Sequence, residues 1–151
     1  GSRPCRRAGG GVRMSVIHES PLVHALSARH GMPVLDTLVT APPGLTVVFL
    51  PSHARPHLET PDIAAVLPDL LRAAQTLLPP DTPLRGAVAD AALEAELCGR
   101  IDGLNLPALV LLHDGVPTGM IPRMRDWDEY GRLFRGILSP YCNAGQKDVS
   151  A

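Results

Sequence analysis

One stretch, residues 105–115, limits the fold of this 151-residue chain more than any other. Pro107 opens an unbroken apolar run from Ala108 to Leu112, and Asp114-Gly115 follows shortly after it. Such a run is too short for an independent helix but suits a strand buried on both faces of a sheet. Because Asp-Gly favours a tight hairpin turn, we expect a second strand from Val116 to Pro122.

Pro107 is expected to begin its strand rather than to interrupt it. A proline at the first position of a strand removes a backbone donor where that loss is tolerated. Prolines held in this way are often cis, so we expect a cis bond between Leu106 and Pro107. A cis proline before a hairpin and a closing helix resembles the thioredoxin-like fold. That resemblance implies that the residues before Pro107 face the surface on which such proteins hold extended peptides.

The composition is that of a single domain. The chain is 45% hydrophobic and 19% charged, which at this length is enough for one core and too little for two domains. A net charge of -1 and an aromatic content of 3% give no reason to expect nucleic acid as a partner. No apolar run reaches the about eighteen residues of a transmembrane helix, so direct membrane insertion is not expected.

Three segments are expected along the chain. Residues 1–13 are basic and glycine-rich without periodicity, so we interpret them as a disordered leader or a cloning remnant. Residues 14–140 are expected to form one thioredoxin-like domain, and residues 141–151 a C-terminal tail. Within the domain, the apolar patterns predict the element order α-β-β-α-β-α-β-β-α around a central mixed sheet.

The longest helix is expected to start with Thr60 as N-cap, Pro61 at the first helical position and Asp62 complementing the helix dipole. We expect Val110 and Leu112 to pack against its apolar stripe. The stripe follows helical spacing and consists of Ile63, Val66, Leu67, Leu70, Leu71, Ala74 and Leu77.

The cysteines do not form a redox motif. Thioredoxin-like oxidoreductases place a cysteine pair at the start of this long helix, where the dipole lowers the thiol pKa. Here residues 59–63 read Glu-Thr-Pro-Asp-Ile, and Cys5, Cys98 and Cys142 form no C-x-x-C pair. Scattered, odd-numbered cysteines favour a reducing compartment. We interpret Cys98 as a buried small hydrophobe; the alternative is a thiol-dependent redox protein that uses Cys98 and loses activity on Cys98→Ser.

Other catalytic or metal chemistry is not expected. His53 and His57 have a spacing compatible with metal binding on a helix, but Pro51 and Pro56 exclude a helix there. We interpret both histidines as solvated loop residues. No nucleophile motif accompanies the serines, so we expect no enzyme activity, no metal and no cofactor.

Six segments of the chain form an ordered set: Thr46–Leu50, Asp69–Arg72, Ala87–Asp90, Leu106–Val110, Asp126–Tyr130 and Phe134–Leu138. This set resembles the hydrogenase expression proteins HyaE, HupG and HoxO. The resemblance covers roughly Leu45 to Pro140. It implies a thioredoxin-like fold without the cysteine pair and a cytoplasmic, non-catalytic chaperone in NiFe hydrogenase maturation. The implied partners are the hydrogenase small subunit and its twin-arginine signal peptide, bound before export, together with other maturation proteins.

A receptor for such a signal peptide needs carboxylates beside an exposed apolar groove, because the signal is a basic region followed by an apolar one. Asp62 has an alternative role in stabilising its helix dipole, as do the acids that open the last helix. The candidate partner-binding residues at the start of the long helix and before the hairpin are Glu59, Asp62, Leu104, Leu106 and Pro107. A second candidate cluster consists of Asp126, Asp128 and Glu129.

Overall fold

Five strands form one mixed sheet in the computed structural model, with helices on both faces. The structure describes residues 20–55 and 57–150, with side chains up to residue 142. The predicted element order is confirmed, with one additional short 3-10 helix at Leu38–Thr40. The strands are β1 (Val34–Leu35), β2 (Leu45–Leu50), β3 (Leu84–Ala89), β4 (Ala108–His113) and β5 (Val116–Pro122). The helices are α1 (Pro21–Ala28), α2 (Thr60–Gln75), α3 (Ala91–Arg100) and α4 (Trp127–Ser150).

The sheet has the strand order β1-β3-β2-β4-β5. Strands β1, β2 and β3 are parallel, whereas β4 runs antiparallel to β2, and β5 antiparallel to β4. Leu50 pairs with Ala108, which in turn pairs with Pro122. The end of β2, the start of β4 and the end of β5 therefore meet at one end of the sheet, which we call the Pro107 end. This arrangement is the thioredoxin-like fold that the sequence predicts.

The hairpin between β4 and β5 forms as the turn residues predict. Asp114 and Gly115 have φ angles of 52° and 81°, the positive values that a two-residue hairpin turn of type I′ requires at both positions. The Leu106-Pro107 bond is cis, as expected. Strand β4 begins one residue after Pro107, and its residues from Ala108 to Leu112 are all buried.

The predicted packing of β4 on α2 is wrong by one residue. Leu109 and Leu111 share the core with α2, whereas Val110 and Leu112 lie in the core on the opposite face, with α3. Alternate residues of a strand point to opposite faces, and an apolar run buried on both sides does not reveal which residues face which helix.

Two helix ends differ from expectation. Thr60 is the first residue of α2 rather than its N-cap, and its hydroxyl donates a hydrogen bond to the Pro51 carbonyl at 2.7 Å. Helix α4 continues to Ser150 and so includes most of the segment interpreted as a tail. The segment interpreted as a leader, residues 1–13, lies outside the described residues. In the described part of the chain, no helix combines the length and apolarity needed to cross a membrane.

Candidate functional site

Glu59 links α2 to the loop that joins β5 and α4. It precedes α2, and its carboxylate accepts hydrogen bonds from Arg123 Nε at 3.1 Å, Arg123 Nη2 at 3.0 Å and the Met124 backbone N–H at 2.8 Å. The Arg123 side chain, followed by the Met124 N–H, lowers the pKa of Glu59. Glu59 is therefore ionised and already paired with a cation of its own chain.

Arg123 extends this connection to the start of β4. Its backbone N–H donates to the Pro107 carbonyl at 2.7 Å, and its own carbonyl accepts a hydrogen bond from the Tyr130 hydroxyl at 3.3 Å. Arg123 adopts φ 66°, an uncommon conformation for a residue with a side chain. The start of α2, the start of β4 and the β5–α4 loop thus meet at what we call the Glu59–Arg123 junction.

The main chain of Leu106, beside this junction, is open in the sense that its hydrogen-bonding groups are unpaired among the described residues. Among the described residues, neither its N–H nor its carbonyl has a hydrogen-bond partner. By contrast, the Pro107 carbonyl accepts the Arg123 N–H, and β4 pairs with β2 on one side and β5 on the other. Its side chain and that of Leu104 are half-buried and pack against the core on the α3 face. The two leucines therefore offer no exposed apolar groove next to Glu59, but Leu106 does offer backbone groups.

The acidic candidates divide into paired and unpaired carboxylates. Asp126 accepts the Glu129 backbone N–H at 2.8 Å, which caps α4, and Glu129 pairs with Arg125 at 3.3 Å. Asp62 and Asp128 are exposed, and neither has a hydrogen-bond or ion-pair partner among the described residues. These two carboxylates are the ones available to a cationic ligand.

Arg123 is the residue that the sequence analysis missed. It follows the last residue of β5 and belongs to no apolar or charged periodicity. Its partner Glu59 lies 64 residues away in the sequence, so no local pattern links them.

The interpretation of His53 as a solvated residue is wrong. The residue is 2% exposed, and its Nε2 lies 2.7 Å from the Ala89 carbonyl oxygen. The backbone N–H groups of Ser52 and His53 donate, each at 2.7 Å, to the two carboxylate oxygens of Glu94, which is itself buried. Burial raises the pKa of Glu94, while the hydrogen bond from the His53 N–H and the nearby His53 charge oppose this rise. Glu94 therefore anchors the loop that leads from β2 to α2.

The two histidines have different environments. His57 is half-buried and its Nδ1 accepts the Glu59 backbone N–H at 3.1 Å, so it supports the start of α2. Within the described part of the chain, no three potential metal ligands gather at one point.

Cys98 is exposed, contrary to its interpretation as a buried hydrophobe. Its helix, α3, packs its apolar side on the sheet through Leu93 and Leu97, which leaves Cys98 outside the core. Partial loss of water around the sulfur, and then the charge of Glu94, raise the pKa of the Cys98 thiol. The thiolate, which is the reactive form, is therefore disfavoured at neutral pH.

Replacing Glu59 by glutamine tests the junction. We expect Glu59→Gln to lower the free energy of unfolding by about 1 kcal/mol at neutral pH, because a neutral amide keeps the Met124 contact but loses the ion pair, which solvent partly screens. Since the folded-state pKa of Glu59 lies below its ordinary value of 4.5, the stabilisation is complete above pH 4.5 and is lost as the pH falls through the folded-state pKa.

Chemical denaturation of both proteins across this pH range measures the difference. The control is Glu96→Gln, which removes an exposed pair with Arg100 and should change stability by a few tenths of a kcal/mol. A Glu59→Gln deficit that persists unchanged at pH 3 contradicts an electrostatic role for the pair.

The comparisons with known proteins agree on one family. The family described as Hydrogenase-1 expression protein HyaE matches residues 22–130. A hydrogenase expression/formation protein HupG of Rhodobacter capsulatus is 36% identical over 124 residues, which cover 79% of this chain and 86% of the relative. HupG of Rhizobium leguminosarum bv. viciae is 32% identical over 129 residues, 80% of this chain and 83% of the relative. HoxO of Azotobacter vinelandii is 32% identical over 125 residues, 79% and 78% of the two chains. The chain therefore belongs to the HyaE family of hydrogenase expression proteins.

Proposed function

We propose that this protein is a cytoplasmic, non-catalytic chaperone in NiFe hydrogenase maturation. It binds the twin-arginine signal peptide of the hydrogenase small subunit before export. Its relatives carry the name hydrogenase expression/formation protein, which supports the role in maturation. The observation that carries the peptide-binding part is the open main chain of Leu106 at the Pro107 end of the sheet.

Backbone groups without partners at such a position can bind an extended peptide by main-chain hydrogen bonds. Leu106 lies on the segment that enters β4, so a peptide paired with it would lie beside the Glu59–Arg123 junction. Main-chain pairing alone does not select a sequence. Selection must come from side chains next to the open backbone.

The unpaired carboxylates provide selection for cations. Asp62 lies in the first turn of α2 and Asp128 in the first turn of α4, the two helices whose starts meet through Glu59 and Met124. A guanidinium forms short, charge-assisted hydrogen bonds with a carboxylate, so two free carboxylates suit two neighbouring arginines. Glu59 takes no direct part in this selection, because Arg123 occupies both of its oxygens. Instead it fixes the relative positions of α2 and α4.

The redox alternative rests on Cys98 alone. The raised thiol pKa and the position of Cys98 in the second half of α3, away from a helix N-terminus, are the opposite of what a nucleophilic cysteine needs. Release of a mixed disulfide within the chain also needs a second thiol, and Cys142, the other cysteine in the described part of the chain, is partly buried against the core on the other face of the sheet. A binding function is therefore the better supported of the two.

Peptide binding measured by calorimetry tests this proposal. A synthetic twin-arginine signal peptide should bind the full chain, and the same peptide with both arginines replaced by glutamine should bind about tenfold or more weakly. Binding of the arginine peptide should weaken as salt is raised, because exposed charge pairs are screened. Equal affinity for the two peptides, or no binding of either, contradicts the proposal.

A further inference from the structure

A groove runs between the second half of α2 and the first half of α4. It has a volume of about 230 Å³. Its walls are mostly apolar, and Trp127 contributes to them while remaining 52% exposed to solvent. The residues that line it are Leu70, Ala73, Ala74, Thr76, Leu77, Trp127, Gly131, Phe134 and Arg135.

The size of the groove indicates what it can hold. Pockets for small molecules have volumes of roughly 300–1,000 Å³, so 230 Å³ is small for a cofactor or metabolite. It is sufficient for one or two apolar side chains of a segment that lies across both helices. A solvent-exposed tryptophan beside such a depression is a common anchor of peptide and protein interfaces.

The charged residues of α4 differ in sign along the groove: acidic residues flank Trp127, and a basic residue lies further along the helix. Trp127 stands between Asp126 and Asp128 in the sequence, and Asp128 has no partner among the described residues. Arg135, which is exposed and also without a partner in the described part of the chain, lines the groove two turns further along α4. A ligand with cationic residues at one end and an apolar stretch beyond them matches this distribution, with its cations beside Asp128.

We propose that this groove binds the apolar segment that follows the arginines of the signal peptide. The inference rests on the proposed function and assigns the second half of the same ligand to a second surface. It also moves the apolar contact away from Leu104 and Leu106, whose side chains are engaged on the other face of the sheet. The arginines bind near Asp62 and Asp128, and the apolar segment packs on Trp127.

Tryptophan fluorescence can report binding in the groove without a label, because Trp127 is the single tryptophan of the chain. Two synthetic peptides separate the two halves of the ligand: one contains the basic region and the apolar segment, and the other ends after the basic region. Only the longer peptide should shift the tryptophan emission to shorter wavelengths, since only its apolar segment covers the indole ring. The longer peptide should also bind more tightly.

Calorimetry with a variant completes the test. Trp127→Ala should weaken the longer peptide about tenfold and leave the affinity for the basic peptide unchanged. The matched control is Val116→Ser, at another exposed apolar residue, which lies at the opposite end of the sheet and should leave both affinities unchanged. Circular dichroism confirms that each variant is folded.

The outcomes distinguish this inference from the function on which it rests. If both peptides bind with equal affinity and the emission does not move, the groove proposal fails while the chaperone proposal stands. If neither peptide binds, both fail. A wild-type dimer in sedimentation that dissociates in Trp127→Ala would show that a second copy of this chain occupies the groove, and would also overturn the inference.

Discussion

Replacing Glu94 by alanine is expected to lower the free energy of unfolding by about 2–4 kcal/mol. The Glu94 carboxylate is the acceptor for two backbone N–H groups in a buried position, those of Ser52 and His53. Alanine leaves both donors without a partner, and each unsatisfied buried group costs about 1–3 kcal/mol. For the two groups together we expect the lower part of the resulting range, because removing a buried carboxylate also removes the desolvation cost of that carboxylate.

The matched control lies on the same helix. Glu96→Ala, two residues further along α3, removes a surface pair with Arg100 and should cost less than about 1 kcal/mol. Urea denaturation of the two variants and the wild type gives the comparison. Equal stability of Glu94→Ala and the wild type would mean that the burial cost of the carboxylate cancels its hydrogen bonds.

The pH dependence gives a second measurement of the same residue. Because the folded-state pKa of Glu94 is raised above its ordinary value of 4.5, its contribution to stability is complete below pH 4.5 and decreases as the pH rises through the folded-state pKa. Glu94→Gln, which stays neutral and keeps one acceptor oxygen, should lack this loss. The pKa of Glu94 is raised in the folded state, whereas that of Glu59 is lowered. Glu94→Gln and Glu59→Gln should therefore change the pH dependence of stability in opposite directions.

Removing the Glu94 carboxylate should also affect the position of the candidate site. The loop that Glu94 anchors begins after β2 and ends at Glu59, and the hydroxyl of Thr60, the first residue of α2, donates a hydrogen bond to the Pro51 carbonyl at the start of this loop. Release of Ser52 and His53 therefore removes one of the supports that position the start of α2.

The elements that the sequence predicted well are those specified by neighbouring residues. Strand β2 and the β4–β5 hairpin follow from continuous apolar runs and from Asp114-Gly115, whose conformational preference is local. The same runs did not reveal the register of β4 against the helices. A strand that is buried on both faces has no alternation, so nothing in the run distinguishes Leu109 and Leu111 from Val110 and Leu112.

The polar interactions of the site were less predictable because their partners are distant in sequence. Glu94 and His53 are 41 residues apart, and Glu59 and Arg123 are 64 apart. Composition and periodicity describe residues within one or two turns of each other, so they marked Glu59 as a free carboxylate when the fold pairs it. They did mark Asp62 and Asp128 as candidates, because a receptor for a basic peptide needs carboxylates and both acids fall in the first turn of a helix.

The carboxylate variant with the largest expected effect on binding is the double substitution Asp62→Asn/Asp128→Asn. It should weaken binding of the twin-arginine peptide by roughly 1–3 kcal/mol, the range for hydrogen bonds to charged groups. Asparagine keeps the size of each side chain and removes only the charge. Because neither carboxylate has a hydrogen-bond or ion-pair partner among the described residues, the substitutions remove only the helix-dipole contribution of about 0.3–1 kcal/mol each and should leave the fold intact.

Three comparisons make the result specific. Asp81→Asn removes the charge of an exposed carboxylate in the α2–β3 loop, at the opposite end of the sheet, and should leave affinity unchanged. The double variant should also lose most of the salt dependence of binding, since the screened interaction is the one removed. The glutamine peptide should bind the double variant and the wild type alike.

An unchanged affinity for the arginine peptide in the double variant would mean that the guanidinium groups bind elsewhere. Asp126 and Glu129 would then remain as candidates in the α4 cluster. Glu129 is the better of the two, because it can exchange its partly exposed pair with Arg125 for a pair with a ligand arginine, whereas Asp126 caps the helix.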